Sequence, residues 1–273
     1  MAHNGGVNHI RHRPAAAALG AALLAFVVVA CGTTSPTHNP ASAPAPAVTE
    51  PPAPSAVPTT TVPKAPVTSS TTIPPGPNLR EGSTGPRVLR LQTRLTALGY
   101  WLGTPNGTFG DSTEQAVYAF QKAAGLTRDG VVGPKTAAAL TTGAVPHPRS
   151  TSGRVIEIDL TDDLMMFVTN GKVDHVLNTS TGGGYVYTVG KVTGVADTPE
   201  GVFHISRQVN GMVTDSLGQL WRPKFFYGGF AIHGDGYVPP YPASHGCARV
   251  SNAAINWIWA DGIAPIGTEV WVY

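Results

Sequence analysis

The chain has 273 residues and a formal net charge of +2, and only 12% of its residues are charged. This balance, together with the absence of any Lys or Arg run, argues against a nucleic-acid-binding protein. The length allows one or two folded domains once flexible parts are set aside.

Residues 1–31 are typical of an export signal. A cationic stretch at residues 9–13 precedes an apolar run over 15–30, which is too short for a comfortable membrane span. The run ends in Val28-Val29-Ala30-Cys31, which resembles the lipobox of bacterial lipoproteins, so the resemblance implies lipidation at Cys31. A lipid anchor, ordinary secretion and a retained signal anchor stay open. Each of them places the folded part in the cell envelope, outside the cytoplasm.

Residues 32–77 are rich in Pro, Thr and Ala, and only Glu50 and Lys64 among them are charged. Such a composition cannot bury a core and favours extended polyproline-II segments. We therefore predict a disordered tether over 32–77.

Residues 78–143 have the pattern of three short helices. Apolar residues recur at helical spacing over 88–98, a second helix is predicted over 113–124, and Pro134 is suited to open a third. Glycine-rich turns separate these segments. The sequence predicts a small three-helix domain.

This segment resembles the peptidoglycan-binding domain type 1 family. The resemblance is carried by four motifs, Gly82-Ser83-Thr84-Gly85-Pro86, Leu98-Gly99-Tyr100, Gly107-Thr108-Phe109-Gly110 and Asp129-Gly130-Val131-Val132-Gly133. It implies that this module binds the glycan wall. Most matched residues are core or turn residues, so they identify the fold rather than a ligand contact.

After a Pro/Ser/Gly linker over 144–153, residues 154–273 have the pattern of short strands. Strands are predicted over 155–160, 164–168, 172–180, 202–206, 230–233 and 269–272, with one late helix capped by Ser251 and running through Ala260. This order predicts a mostly β sandwich or barrel.

The chain has only two cysteines, and Cys247 has no evident disulfide partner because Cys31 ends the apolar N-terminal run. Cys247 lies in the stretch Ser244-His245-Gly246-Cys247-Ala248-Arg249, fourteen residues after His233. A thiolate is a strong nucleophile, and a histidine can remove the proton of its thiol. The pattern therefore points to a reactive sulfur rather than a structural one.

The same stretch resembles the YkuD-type L,D-transpeptidase catalytic domain. The other matching motifs are His233-Gly234, Thr198-Pro199-Glu200-Gly201 and Asn252 before a helix. The resemblance implies that Cys247 attacks a tetrapeptide donor stem, releases D-Ala and passes the acyl group to an amine of an acceptor stem. The product is a 3→3 cross-link. The resemblance implies no cofactor and no metal, and it links the family to acylation by carbapenems.

Several residues receive roles from this resemblance. His233 takes the thiol proton and then protonates the leaving amine, oriented by the carbonyl of Gly234 or by the side chain of Asp235. The amides of Gly246 and Cys247 are expected to hold the oxyanion. The expected substrate-binding residues are Ser244, His245, Arg249, Asn252 and Tyr227. For His245, Arg249 and Asn252 a purely structural role stays open.

Three rival functions are considered. His233, His245 and Cys247 can supply three zinc ligands. A water acceptor would make the protein an L,D-carboxypeptidase, and a catalytic-like domain that only binds stems would make it a wall anchor. Since the sequence has no heptad repeat, we expect a monomer.

Overall fold

The computed structural model describes residues 72–273. The predicted export signal, the lipidation site Cys31 and most of the predicted tether lie outside these residues. At the start of the described part, Ile73 is buried, and Arg87 donates hydrogen bonds to the carbonyl oxygens of Pro74 at 3.1 Å and Pro77 at 2.7 Å. Residues 73–77 therefore pack on the helical module.

The helical module consists of α1 (Pro86–Ala97), α2 (Asp111–Ala123) and α3 (Pro134–Thr142). The three helices predicted from the sequence are thus confirmed. Their apolar faces meet around Val88, Leu91 and Phe120, which are fully buried.

Twelve strands and one further helix follow within the described residues. They are β1 (Arg154–Asp159), β2 (Leu164–Thr169), β3 (Lys172–Asn178), β4 (Val186–Val189), β5 (Val192–Val195), β6 (Gly201–His204), β7 (Arg207–Gln208), β8 (Met212–Asp215), β9 (Gly218–Tyr227), β10 (Phe230–Asp235), β11 (Ala248–Ser251), α4 (Asn252–Ala260) and β12 (Glu269–Val272). The Ser251 hydroxyl accepts a hydrogen bond from the Ala254 amide at 3.2 Å, so it caps α4 as predicted.

The strands form two main sheets and a hairpin. The first sheet has the order β3-β2-β1-β12-β6, and β1 runs parallel to β12. The second sheet has the order β11-β10-β9-β7, with β8 also paired to β9 and with β10 parallel to β11. Strands β4 and β5 form a separate hairpin. A helical N-terminal module followed by a mostly β domain with one late helix confirms the predicted fold class.

Strand β2 of the first sheet is buried on both faces. Met165 and Phe167 of β2 face the second sheet and α4, whereas Leu164, Met166 and Val168 face the helical module. This explains why the sequence of β2 is an unbroken apolar run and does not alternate between apolar and polar residues. The helical module therefore shares a hydrophobic core with the β domain.

The segment 144–153 is anchored to the centre of the first sheet. The fully buried Glu157 carboxylate accepts hydrogen bonds from the amides of Arg149 and Ser150, both at 2.8 Å, and from the Tyr273 hydroxyl at 2.6 Å. Buried carboxylates need such partners, and these fix the connection to the β domain. No helix within residues 72–273 is long and apolar enough to cross a membrane.

Candidate active site

The parallel pairing of β10 with β11 brings the two sequence motifs side by side. His233 lies opposite Arg249, and Ile232 lies opposite Ala248. Because side chains alternate between the two faces of a sheet, His233, Arg249 and the preceding Cys247 lie on one face. Two motifs fourteen residues apart in sequence therefore share one site.

This face borders a cavity of about 300 Å³. Five of the predicted site residues line it, namely His233, Ser244, His245, Cys247 and Arg249. The remaining lining residues are Tyr187, Asp215, Leu217, Gly218, Gln219, Leu220, Gly229, Phe230 and Asp235. The cysteine and the histidine thus face the same space.

The His233 ring is held by the backbone. Its side chain is buried, and Nδ1 lies 2.9 Å from the carbonyl oxygen of Gly234. A carbonyl oxygen only accepts, so Nδ1 carries the proton and Nε2 is the acceptor in the neutral ring. Of the two orienting groups considered from the sequence, the Gly234 carbonyl makes this contact. Asp235 instead lies 3.3 Å from Arg249 Nε.

Burial favours the neutral forms of both His233 and Cys247. It lowers the pKa of His233 below its ordinary value, and the hydrogen bond to Gly234 and the charge of Asp235 only partly oppose this. Burial also raises the pKa of the Cys247 thiol, against a backbone hydrogen bond with Ala231 that lowers it. A neutral imidazole and a neutral thiol that line one cavity are in the protonation states in which the histidine can act as a base toward the thiol.

A single hydroxyl shapes the cysteine loop. Ser244 Oγ donates to the Cys247 carbonyl oxygen at 2.6 Å and accepts from the Gly246 amide at 2.9 Å. The Gly246 amide therefore already has an acceptor in Ser244 Oγ, and its predicted part in binding an oxyanion stays a prediction. The Gly246 carbonyl oxygen in turn accepts from Thr198 Oγ1 at 2.8 Å, so the upstream Thr-Pro motif supports the loop directly.

Gly246 is required by the loop's shape. Its φ of +132° lies in a region that other residues rarely adopt. A Cβ atom there would overlap the Phe230 ring and lie 2.7 Å from the carbonyl oxygen of Asp197. We infer a structural role for this glycine beside the nucleophile.

Two hairpins that the sequence did not predict complete the cavity wall. Tyr185 and Tyr187, just before and within β4, meet the His245 ring edge-on, with centroids at 5.4 and 4.9 Å. The turn between β8 and β9 contributes Asp215 and Leu217. The turn sequence Asp215-Ser216-Leu217-Gly218 is the one signal that could have predicted the second hairpin.

The remaining predicted residues differ in position. Among residues 72–273, Arg249 Nε has no hydrogen-bond partner, although it lies close to Asp235. Asn252 begins α4 and lies beside the backbone of Gly234, outside the cavity lining. Tyr227 is exposed at the end of β9, packs against Phe203 and also does not line the cavity. In the described part of the chain, no group of three or more His, Cys, Asp or Glu side chains is placed to hold a metal ion.

Comparison with known proteins assigns both modules. Residues 84–140 match the family model described as a putative peptidoglycan binding domain, and residues 153–272 match the L,D-transpeptidase catalytic domain. A crystal structure of an L,D-transpeptidase from Xylanimonas cellulosilytica is 52% identical, with a TM-score of 0.70. The match covers 73% of this chain and 100% of that one.

Curated relatives match a short part of the chain. A probable N-acetylmuramoyl-L-alanine amidase of Bacillus licheniformis is 45% identical over 64 residues, which are 23% of this chain and 18% of that protein. A spore cortex-lytic enzyme of Bacillus cereus is 36% identical over 76 residues, which are 28% of this chain and 29% of that protein. The chain thus spans less than a third of the length of each of these two relatives.

Proposed function

The chain belongs to the L,D-transpeptidase family, and we propose that it forms 3→3 peptidoglycan cross-links through a thioester on Cys247. The observation that carries this proposal is that Cys247 and His233 line one cavity, with Nδ1 of His233 bonded to the Gly234 carbonyl. That bond leaves Nε2 as the proton acceptor.

In the first half-reaction, the sulfur of Cys247 attacks the carbonyl carbon of the third residue of a donor tetrapeptide as its proton moves to His233 Nε2. The tetrahedral intermediate collapses when the carbon–nitrogen bond to D-Ala breaks and His233 returns the proton to the leaving amine. The products are free D-Ala and a thioester. Since Gly246 N already donates to Ser244, the Cys247 amide is the oxyanion donor that we propose.

In the second half-reaction, the uncharged amine of a diaminopimelate-type residue in an acceptor stem attacks the thioester. His233 takes the amine proton, the carbon–sulfur bond breaks, and the proton returns to sulfur. The Asp215 carboxylate in the cavity wall can attract the ammonium form of this amine before it loses its first proton to solvent.

Arg249 is proposed to bind a stem carboxylate. Its guanidinium lines the cavity, and because its buried Nε lies 3.3 Å from Asp235 Oδ2, the terminal nitrogens are the ones that we propose to meet the stem. A planar guanidinium fits a carboxylate with two parallel hydrogen bonds. Ser244 and His245 would act on the substrate through the loop and the tyrosine hairpin that they support.

We further propose that the helical module holds the enzyme on the wall and that Cys31 anchors it to the outer face of the membrane. The family match of residues 84–140 supports the first of these. The membrane anchor and the monomeric state rest on the sequence alone.

The test is muropeptide analysis after incubation of the chain with sacculi that contain tetrapeptide stems. The expected products are 3→3 dimers and free D-Ala, and both should vanish with Cys247→Ala while sacculus binding survives. Tripeptides with D-Ala but without dimers would instead identify a carboxypeptidase. Dimers formed by Cys247→Ala would refute the thioester mechanism.

A further inference from the structure

A lysine of the helical module is buried against the β domain. Lys122, near the end of α2, is 2% exposed, and its ammonium donates to the carbonyl oxygens of Asp163 at 2.7 Å and Thr179 at 2.9 Å. It also lies 3.4 Å from Asp163 Oδ2. All the partners of this charge therefore belong to the β domain. A buried charge is tolerated only with such partners, so the burial of Lys122 requires these hydrogen bonds to the β domain.

The Asp163 carboxylate connects Lys122 to Thr181. Its second oxygen, Oδ1, accepts hydrogen bonds from the Thr181 amide at 3.0 Å and from the Thr181 hydroxyl at 2.8 Å. Asp163 adopts a left-handed conformation with φ of 56°, which Asp tolerates better than most non-glycine residues. Lys122 and Thr181 together hold this carboxylate in place.

Residues 179–181, here called the 179–181 strip, run along the loop that carries the nucleophile. The Thr181 carbonyl oxygen accepts from the amides of Ala243 at 3.0 Å and Ser244 at 2.9 Å. Ser244 in turn donates to the Cys247 carbonyl oxygen. The strip therefore fixes the start of the loop.

The same strip also fixes the end of the loop. The Arg249 carbonyl oxygen accepts from the Thr179 hydroxyl at 2.8 Å and from the Ser180 amide at 3.2 Å, and the Arg249 amide donates to the Ser180 carbonyl oxygen at 3.0 Å. The loop that carries Cys247 is thus hydrogen-bonded at both of its ends to the 179–181 strip. All three Lys122 hydrogen bonds end on that strip or on Asp163, which is bonded to it.

We propose that Lys122 is a positioning residue, which acts through Asp163 and the 179–181 strip to hold the Cys247 loop in its reactive geometry. The helical module would then be a working part of the catalytic centre as well as a wall-binding module. This inference rests on the proposed role of Cys247 as nucleophile. A misplacement of about 1 Å in such a loop is enough to reduce turnover strongly.

The test compares Lys122→Met with the wild-type full chain in two reactions of Cys247. Acylation by imipenem needs an oriented sulfur and oxyanion donor, whereas alkylation by iodoacetamide needs only an accessible thiolate. We expect the ratio of the two rate constants to fall by about tenfold or more, and kcat for cross-linking to fall with it while KM and sacculus binding stay within about twofold.

A matched control and a milder variant separate positioning from simple stability. Tyr100→Phe removes one buried hydrogen bond, from the Tyr100 hydroxyl to the Ala144 carbonyl oxygen at 2.8 Å, in the same module and away from the strip. It should leave the ratio unchanged. Thr181→Val removes only the hydroxyl contact to Asp163 and should lower the ratio even if Lys122→Met does not fold. If Lys122→Met folds, the double variant with Thr181→Val should lower the ratio no further than the stronger of the two single variants.

A folded Lys122→Met or Thr181→Val with a wild-type ratio would overturn the inference and leave Lys122 as an interface contact only. A wild-type chain that is neither acylated nor active in cross-linking would instead refute the proposed function. The two failures are therefore distinguishable.

Discussion

The Nδ1 atom of His233 lies 2.9 Å from the carbonyl oxygen of its own neighbour, Gly234. The tautomer of the histidine is therefore set by the backbone rather than by a carboxylate. A Cβ at Gly234 would lie 2.6 Å from Asn252 Oδ1 and 3.0 Å from the Trp221 ring, so this position leaves no room for a side chain. The orienting group is thus built into β10 itself.

Replacing Asp235 by Asn should therefore leave most of kcat. The charge of Asp235 raises the pKa of His233, so its removal should lower that pKa further. Since the neutral imidazole is the base, the acid limb of kcat/KM against pH should move to lower pH. Rates measured between pH 4.5 and 8 check this. A fall in kcat of about 10⁴-fold, as seen when a triad carboxylate that fixes the tautomer is replaced, would mean that Asp235 orients His233 after all.

Imipenem should add its mass to Cys247 alone. The thiol and His233 line the same cavity, and burial raises the pKa of the thiol, so we expect its modification to depend on His233 acting as base. Mass spectrometry of peptides from the treated full chain should place the adduct on residues around Cys247. Cys31→Ser is the matched control and should keep the adduct, whereas Cys247→Ser should lose it. An unmodified Cys247 at saturating drug would contradict the assigned nucleophile.

That Cys247 and His233 share one cavity was predictable because each lies in a short, distinctive motif. An unpaired cysteine and a histidine fourteen residues apart are seldom explained by structure alone. The parallel register of β10 and β11 then brings the two motifs together. The helices were predictable because their signals are local, namely the helical spacing of their apolar residues and the proline at the start of α3.

Apart from the turn sequence at residues 215–218, local patterns did not predict the rest of the cavity wall. Strands β4, β5 and β8 are largely exposed, so their residues lack the apolar alternation that marks a half-buried strand. Asp215 reaches the site only through such a hairpin. Lys122 gave no signal either, because a single lysine on a helix is normally solvated, and its partners lie far away in sequence.

Gly246→Ala should strongly reduce acylation of Cys247. The added Cβ would meet the Phe230 ring and the Asp197 carbonyl oxygen, and an L residue at φ of +132° is strained. The loop must shift, and we expect a loss of at least about 100-fold in acylation rate, equivalent to about 3 kcal/mol. Gly236→Ala is the matched control, because nothing lies within 4 Å of a Cβ there. Equal rates for the two variants would show that the loop adapts.

His245 should act through the tyrosine hairpin. Its ring meets Tyr185 and Tyr187 edge-on, a contact worth about 0.5–1.5 kcal/mol beyond burial. His245→Ala should therefore loosen this wall and raise KM by about threefold to tenfold with a smaller change in kcat. His245→Phe keeps the aromatic contact and should restore KM. If His245→Ala and His245→Phe had equally low kcat values, the imidazole would instead take a direct part in the reaction.

The buried charge of Lys122 should be visible in the pH dependence of stability. Burial lowers the pKa of Lys122 from 10.5 to about 8 despite its contact with Asp163. Between these values the unfolded chain keeps the proton and the folded chain loses it. Stability therefore rises with pH wherever the unfolded state binds more protons, and the contribution of Lys122 should increase from about pH 8 upward.

Lys122→Met removes this titration, so the difference in free energy of unfolding between wild type and variant should change in favour of the wild type across the window. Urea unfolding at pH 7, 8, 9 and 9.5 measures it. Lys224, whose pKa is also lowered to about 8 by burial, is common to both chains and cancels in the difference. Parallel curves for the two chains would mean that the Lys122 ammonium keeps an ordinary pKa, and hence that water reaches it at the interface.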